Sequence, residues 1–446
     1  MQITPRVLKG FRDFLPAEEA RRAKFIRILE DSFARFGFLP IDTPVLEYAD
    51  VLLGKGGGET DKQVYRFDDH GGRDVAMRFD LTVPFARYMA QHRSELYLPF
   101  KRYHIDKVFR GENTQRGRYR EFTQCDFDIV GTGSISADLE IITVIAGAFR
   151  SLGVPGVTIH ISHRALLNRY LETLGVSAHT ESVLRTIDKL RKIGRDKTLG
   201  ILTDEIGPEA AASVLAFIEV EGDYGTVLAH VESLLGAAGP EVGALRTIGD
   251  ALEGLGLTEV VRLDTSITRG LDYYTGIVYE TFLTGAESIG SVCSGGRYDD
   301  LVALYSKESM PGVGASIGLD RLLAALDELG IAGDDGTGAD VLVAMQDAEL
   351  LGHYHALATG VRAAGFRCEV YPDDTKLGKQ FAFAERKGIP IVLICGRSEY
   401  EAGTVGLRHI VDGSRYDGLP LDAAIDRIKT LVAGGSRPAP EPAKDR

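Results

Sequence analysis

The sequence predicts an α+β protein in parts: a strand-bearing domain flanked by helices, a helical insertion within it, and a small C-terminal α/β domain. Three observations carry that prediction. Residues 102–110 and 120–130 hold aromatic and β-branched side chains, among them Tyr103, Val108, Phe109, Phe122, Phe127 and Ile129, on either side of a polar tip at 113–117. That is the pattern of a long antiparallel hairpin. Residues 164–258 are rich in Leu, Ala, Glu and Lys at helical spacing with Gly breaks, which reads as a run of helices. Beyond a Gly/Asp linker at 330–339, short apolar strands at 341–345, 367–371 and 389–395 alternate with helical stretches, the signature of a separate α/β domain with parallel pairing.

The other elements follow in chain order. Residues 17–36 place Phe25, Ile28, Leu29, Phe33 and Phe36 at helical spacing, with Pro16 before them and Gly37 after. Residues 38–44 carry two prolines, each of which pushes its predecessor out of the helical region, so this stretch is extended. A long helix followed by a Pro-ended strand suits a dimer element, and suits a purely structural role as well. Residues 55–61 are Gly-rich but lack the order of a P-loop, and read as a loop beside a site. Residues 75–82 alternate like a strand and put Arg78, Asp80 and Thr82 on one face, either a pocket wall or an exposed strand face. A helix at 138–150 and a strand at 157–162 precede the helical run. Gly-punctuated strands return at 268–280, 293–299 and 312–321, the last leading into a helix through Leu322, Leu323, Leu326 and Leu329. Their glycines suit close approach of backbone to a ligand, or ordinary tight turns. The segment from Ser436, with three prolines, reads as a disordered tail.

A chain of 446 residues with 44% hydrophobic and 26% charged residues has the composition of an ordinary globular protein. The first ten residues lack the apolar core of a secretion signal, and no apolar run approaches a bilayer span. Four cysteines, Cys125, Cys293, Cys368 and Cys395, form no CxxC pair, which argues against a zinc ribbon or a disulfide framework and fits a reducing, cytoplasmic setting. The net charge is −13, yet residues 93–120 carry eight Lys/Arg against three Asp/Glu. An acidic body with one basic working stretch suits an anionic ligand and leaves RNA open. Within it, Arg110, Arg116, Arg118 and Arg120 lie near acceptors and an aromatic, as expected where a polyphosphate is gripped and a base stacked. A solvated hairpin charged for solubility would look the same in isolation.

Taken together the blocks resemble the histidyl-tRNA synthetase family of class II aminoacyl-tRNA synthetases, over nearly the whole chain. The first helix with Pro44 is similar to the family's first motif, residues 109–112 with 117–122 to the second, and residues 318–321 to the third. Residues 269–274 (Arg-Gly-Leu-Asp-Tyr-Tyr) and 295–299 (Gly-Gly-Arg-Tyr-Asp) resemble the two blocks particular to the histidine enzymes. The resemblance implies an antiparallel sheet flanked by helices, the class II fold, over residues 1–329, with 164–258 inserted. It implies an anticodon-binding α/β domain over 340–435, after the 330–339 linker and before a 436–446 tail.

The implied chemistry joins histidine and ATP into histidyl-adenylate with release of pyrophosphate, then moves the histidyl group to the 3′ end of tRNA(His). The resemblance assigns Arg110 and Arg269 to the α-phosphate, Arg269 also meeting the substrate carboxylate. It gives Arg118 and Arg321 to the β/γ-phosphates, Glu112 to the adenine amino group, and Phe122 with Arg321 to the ring. Asp80, Thr82 and Gln124 take the α-amino group. Asp128 and Tyr273 or Tyr274, Tyr274 favoured, face the imidazole, and Tyr298 belongs to the same histidine site. Gln115 and Arg116 stand where the family's tip meets the tRNA acceptor end. Magnesium accompanies ATP as substrate; no resident metal or tightly bound cofactor is expected, and the expected assembly is a cytoplasmic homodimer. Neutral imidazole offers one donor and one acceptor, and a carboxylate with a phenol satisfies both. Hydrogen-bonding pockets of this kind discriminate by roughly 10⁴–10⁵ without proofreading, so no editing domain is expected. Departures from the pattern are Asp in place of Glu at 80, 128 and 320, Gly111, and the 113–116 tip, where Gln115 alone matches a candidate for reading the extra 5′ guanosine. A regulatory paralogue similar to the synthetase-like subunit of ATP phosphoribosyltransferase typically lacks the histidine blocks and the last domain, and a tRNA-sensing pseudo-enzyme is usually fused to a kinase.

Overall fold

The computed structural model describes residues 3–54, 62–187, 189–236, 239–267, 273–331 and 338–434. The Gly-rich stretch 55–61, Arg269 with its neighbours 268–272, most of the 330–339 linker and the 436–446 tail lie outside the described residues. Contacts divide the chain into two compact units, Met1–Phe14 with Arg22–Ala332, and Leu15–Arg21 with Gly333–Arg446.

The first unit is organised by an eight-stranded sheet, and the expected hairpin is its spine. Strand β5 (Phe100–Phe109) pairs antiparallel with β6 (Glu121–Val130), from Phe100 opposite Val130 to Phe109 opposite Glu121. β6 then pairs with β11 (Gly312–Gly318), β11 with β10 (Cys293–Tyr298), β10 with β9 (Ile277–Leu283) and β9 with β7 (Val157–His163), all antiparallel. The edges are parallel pairs: β1 (Leu39–Pro40) on β5 and β8 (Val261–Leu263) on β7. The antiparallel class II sheet is therefore present, with a parallel strand at each rim.

Alternation decides what each face of β6 does. Cys125, Phe127 and Ile129 enter the main core, where Phe127 lies 4.8 Å from the ring of Phe33 on helix α1 (Pro16–Arg35). Gln124, Asp126 and Asp128 point the other way. The same core takes Ile141, Ile142 and Ile145 of α4 (Ile135–Ser151), whose N-cap Ser134 accepts from Ser136 N, and Leu319, Leu322 and Leu326 of α12 (Leu319–Glu328).

Residues 165–255 form the predicted run of helices: α5 (Ala165–Thr173), α6 (Thr180–Ile187), α7 (Leu190–Ile193), α8 (Arg195–Ile206), α9 (Pro208–Ile218), α10 (Tyr224–Leu235) and α11 (Pro240–Leu255). Their apolar faces, including Leu171, Val214, Phe217, Val231 and Leu245, are continuous with the sheet's core.

One strand is shorter than its alternation suggests. The stretch read as a strand over 75–82 is β4 (Asp74–Met77), central in a three-stranded sheet with β2 (Leu46–Tyr48) and β3 (Arg66–Asp68). Thr82 already opens α3 (Thr82–Gln91), which α2 (Ala49–Leu53) precedes in the chain. Arg78 does not share a face with Asp80 and Thr82. Its guanidinium is buried, donating to Thr43 O at 2.7 Å and Lys107 O at 2.8 Å and pairing with Asp106 at 2.5 Å. Pro84, in the first turn where a missing N–H costs nothing, marks the change to helix.

The second unit contains a five-stranded sheet in the order β13 (Cys368–Val370), β12 (Val341–Val343), β14 (Ile391–Ile394), β15 (Val405–His409), β16 (Arg415–Leu419). The three strands seen in the sequence are parallel; the two further ones are antiparallel. Helices α13 (Leu351–Ala363), α14 (Leu377–Lys387), α15 (Arg397–Ala402) and α16 (Leu421–Ala433) complete it. Val341, Val343, Ile391 and Leu393 face one apolar cluster with Ile428, and Leu342 and Val392 face another with Ala384.

Candidate active site

The polar face of β6 forms the floor of a cleft in the first unit, divided into two chambers. The first, with about 550 Å³ of free space including its open mouth, is lined by Arg110, Glu112, Arg118, Phe122, Gln124 and Arg321, together with Tyr119, Ser291, Val292, Ser294, Ser316 and backbone at Gly117 and Gly318. The second, of about 530 Å³, is lined by Asp80, Thr82, Asp126, Asp128, Tyr273, Tyr274 and Tyr298. Arg110, Gln124, Ser294 and Ser316 belong to both and form the wall between them.

The first chamber is cationic. Arg110 leaves the end of β5 and is fixed by donating from Nε to Phe79 O at 3.1 Å, with its Cζ 4.2 Å from the Phe79 ring and 5.1 Å from the Phe122 ring. Arg321 comes from the first turn of α12 and donates to Ser291 O at 2.8 Å. Arg118 reaches in from the hairpin tip, with Glu112 3.9 Å away. Burial, with Arg118 and Arg110 beside it, pushes Arg321 down to about 10. Burial also lowers Arg110, against the pull of Asp80 and Glu112. Guanidinium groups crowded to this extent are arranged for an anion, whose arrival relieves their repulsion.

The second chamber has the opposite character. Asp80 accepts from Val83 N, in the first turn of α3, at 2.9 Å and takes the Tyr273 hydroxyl at 3.4 Å. Burial raises its carboxyl, an effect only partly offset by Val83 N–H and Arg110. Asp128 accepts from Tyr298 Oη at 2.6 Å and pairs with Arg102 Nη2 at 2.7 Å. Arg102, buried on β5, stands 3.9 Å from Asp126 as well, so one cation serves two carboxylates. Burial, with Asp128 adding to it against the pull of Arg102, pushes Asp126 up to about 7. Burial likewise raises Asp128. Gln124 donates to Ser316 Oγ at 2.9 Å. Glycine is needed at 314, opposite Asp128 on β11, because a Cβ there would fall 2.1 Å from Asp128 Oδ1.

The third-motif carboxylate, Asp320, lines neither chamber. It is buried and takes Arg22 Nη1 at 2.6 Å, Arg12, and Thr123 N at 2.7 Å, tying α1 and the N-terminal segment to β6. Arg297 likewise holds structure together, pairing with Asp138 at 2.5 Å and donating to Thr132 O and Ser134 O.

Most residues expected at the site thus come together: Arg110, Glu112, Arg118, Phe122 and Arg321 in one chamber, and Asp80, Thr82, Asp128, Tyr273, Tyr274 and Tyr298 in the other, with Gln124 between. Arg269 lies outside the described residues. Gln115 and Arg116 line neither chamber. Gln115 closes the tip by exchanging backbone hydrogen bonds with Arg118, and Arg116 pairs with Glu328 at 2.9 Å on the surface. Sequence reasoning missed Asp126, Ser294, Ser316 and Arg102. The period of two on β6 carried the signal for Asp126, since Gln124 and Asp128 flank it on the same face. Among the described residues, Asp42, His104 and Asp106 are close enough to share a cation, but they line neither chamber and Arg78 already neutralises Asp106.

Comparison with known proteins gives one answer. The family model for histidyl-tRNA synthetase matches residues 10–322, and that for an anticodon binding domain matches residues 340–431. The chain is 51% identical over 393 residues to the histidine–tRNA ligase of Treponema denticola, covering 87% of this chain and 88% of that protein. To the histidine–tRNA ligase of Wolinella succinogenes it is 46% identical over 432 residues, 95% and 98% of the two chains. The crystal structure of a histidyl-tRNA synthetase from Nostoc sp. superposes with a TM-score of 0.87 at 33% identity, covering 96% of this chain and all of the other.

Proposed function

The chain belongs to the histidyl-tRNA synthetase family, and from that premise we propose how its residues divide the work. It is a histidine–tRNA ligase. In the first step an oxygen of the histidine carboxylate attacks the α-phosphorus of ATP, a bond to that phosphorus breaks, and pyrophosphate leaves. In the second a ribose hydroxyl at the 3′ end of tRNA(His) attacks the activated carbonyl, and AMP leaves.

The observation that carries the assignment of sites is the joining of a cationic chamber to a carboxylate-and-phenol chamber through one wall. ATP, with Mg²⁺ as its companion in the substrate, occupies the first. Arg110 and Arg269 hold the α-phosphate, Arg269 by family resemblance, and Arg118 and Arg321 hold the β/γ-phosphates. Preset cations of this kind stabilise charge that develops at phosphorus without reorganising during the reaction. Glu112 takes the adenine amino group, and Phe122 with Arg321 encloses the ring. Histidine occupies the second chamber: Asp80, Thr82 and Gln124 receive its ammonium near the shared wall, and Asp128, Tyr273, Tyr274 and Tyr298 surround its imidazole. The carboxylate is thereby directed toward Arg110 and the α-phosphate, the alignment that makes proximity effective.

Residues 1–329 form the catalytic domain with 164–258 inserted, and residues 340–435 bind the anticodon. Gln115 and Arg116, at the outer tip, meet the acceptor end of the tRNA. The enzyme works as a homodimer in the cytoplasm; the exposed Leu39, Leu46 and Tyr48 on β1 and β2 support an interface there. No helix among the described residues is long and apolar enough to cross a membrane.

Pyrophosphate exchange run with each of the twenty amino acids, followed by charging of tRNA(His), tests this reading. Exchange with histidine alone and charging of tRNA(His) uphold it, and exchange indifferent to histidine refutes it. Deleting residues 336–446 weakens tRNA charging far more than adenylate formation; equal loss of both argues against a separate anticodon domain. Gel filtration at micromolar concentration gives a dimer, and a fully active monomer contradicts the interface.

A further inference from the structure

The ladder of β5 and β6 ends at Phe109 opposite Glu121, and Glu112, Arg118 and Tyr119, which line the first chamber, lie beyond it on the tip. Across the tip, Arg110 N donates to Arg120 O at 2.9 Å, and Gln115 and Arg118 exchange a pair of backbone bonds. The N-terminal segment supplies a further hold. Gly10 O accepts from Arg120 N at 2.8 Å, and Gly10 lies so close that a Cβ would fall 2.7 Å from Arg120 Cγ and 2.9 Å from Thr114 Cγ2. Two residues on, the Arg12 guanidinium sits 3.7 Å from the centre of the Tyr119 ring and pairs with Asp320. The Phe14 ring takes Arg12 at 4.6 Å and Arg22 at 4.0 Å. Arg22 Nη1 and Thr123 N hold Asp320 independently, so Asp320 is the fixed end of this connection and Tyr119 the end on the tip. Arg12 itself lines neither chamber.

A side chain that stacks by its face and pairs by its edge must be flat, which a guanidinium is and an ammonium is not. A loop that carries ligand-binding groups loses affinity when the ligand itself has to order it. Resting on the reading of the first chamber as the ATP site, we propose that Arg12 is a positioning residue for the nucleotide. Anchored on Asp320, it fixes the Tyr119 ring, and through the adjoining backbone it directs Arg118 at the β/γ-phosphates. The effect is confined to the polyphosphate end. Phe122, which meets the adenine ring, sits within the ladder opposite Val108 and is held there without help from the tip.

The test is pyrophosphate exchange by the full-length enzyme carrying Arg12→Gln, Arg118→Gln or both. Arg12→Gln raises the KM for ATP and for pyrophosphate by roughly 3- to 30-fold. The KM for histidine and the inhibition constant of AMP each change by less than about threefold. In the Arg118→Gln background the same substitution adds less than about threefold, since the group it positions is already gone. If Arg12→Gln lacks a cooperative melt, Arg12→Lys, which keeps the charge and loses the flat face, replaces it in the same comparison. Unchanged KM for ATP and pyrophosphate overturns the proposal. Equal weakening of histidine and AMP also overturns it, by marking the residue as structural, and so does a fully additive effect in the double variant. Should Arg118→Gln alone leave the KM for ATP unmoved, the reading of the chamber itself falls, and the role of Arg12 with it.

Discussion

Replacing Arg102 by methionine removes the buried cation that faces Asp126 and Asp128 of the second chamber while keeping most of the side chain's length. In the folded protein this guanidinium is fully buried, 2.7 Å from Asp128, 3.9 Å from Asp126, and 4.2 Å from the centre of the Phe85 ring. Taking one partner out of a buried ion pair costs about 3–5 kcal/mol, because the remaining charge is left in a medium that cannot solvate it. The contact with Phe85 adds up to about 2 kcal/mol, and methionine refills much of the space, so cavity formation contributes little. The loss depends on pH with a definite sign. Arg102 holds both carboxyls down, so without it they retain protons more strongly in the folded state, while the unfolded chain is unaffected. The penalty is therefore largest well above pH 7, where Asp126 is ionised in the wild type, and shrinks as pH falls through about 7, below which that carboxyl holds its proton with or without Arg102. Urea unfolding followed by far-UV circular dichroism at pH 8 and pH 5.5 measures this. A loss below about 1 kcal/mol, or one equal at the two pH values, would refute the role given to Arg102.

The cationic chamber, the third motif and the tight β6–β11 contact can be tested in the same way. Arg321→Gln relieves the crowding with Arg118 and Arg110, so KM for ATP rises roughly 10- to 100-fold while the unliganded protein melts no lower; an unaltered ATP KM contradicts this. Asp320→Asn weakens the bonds to Arg22, Arg12 and Thr123 N and costs about 3–5 kcal/mol, read as a lowered melting temperature. Gly314→Ala drives a methyl group into Asp128 and costs about 1–3 kcal/mol together with a raised histidine KM; normal kinetics would mean the strands separate more easily than their packing implies.

Much of the fold could be read from period and punctuation. The hairpin spanning β5 and β6 was legible because aromatic and β-branched residues alternate on both sides of a polar tip, and the helical run because its apolar spacing is regular. The stretch at 75–82 misled because alternation alone does not distinguish a strand from a strand that ends and turns into a helix; Pro84 was the clue. β15 and β16 were missed because Gly406, Arg408, Arg415 and Asp417 dilute the apolar signal in strands near one edge of the sheet. At the site, Arg110, Arg118, Arg321, Asp80 and Asp128 were accessible through family motifs. Arg102 and Asp126 were not, since what distinguishes them is burial and mutual distance, which no motif records. Ser294 and Ser316 likewise reach the cleft only through the pairing of β10 and β11 with their neighbours.

The sharing of Arg102 bears on how such an enzyme could be retargeted to a different amino acid. Because the core-facing residues of β6 alternate with its cleft-facing ones, exchanging the latter would seem free of consequence for folding. It is not, since a neutral residue at either carboxylate position changes the charge balance around a guanidinium anchored on the next strand. A switch in amino-acid preference at this strand is therefore a concerted substitution spanning two strands, and single-step routes to it pass through a destabilised enzyme.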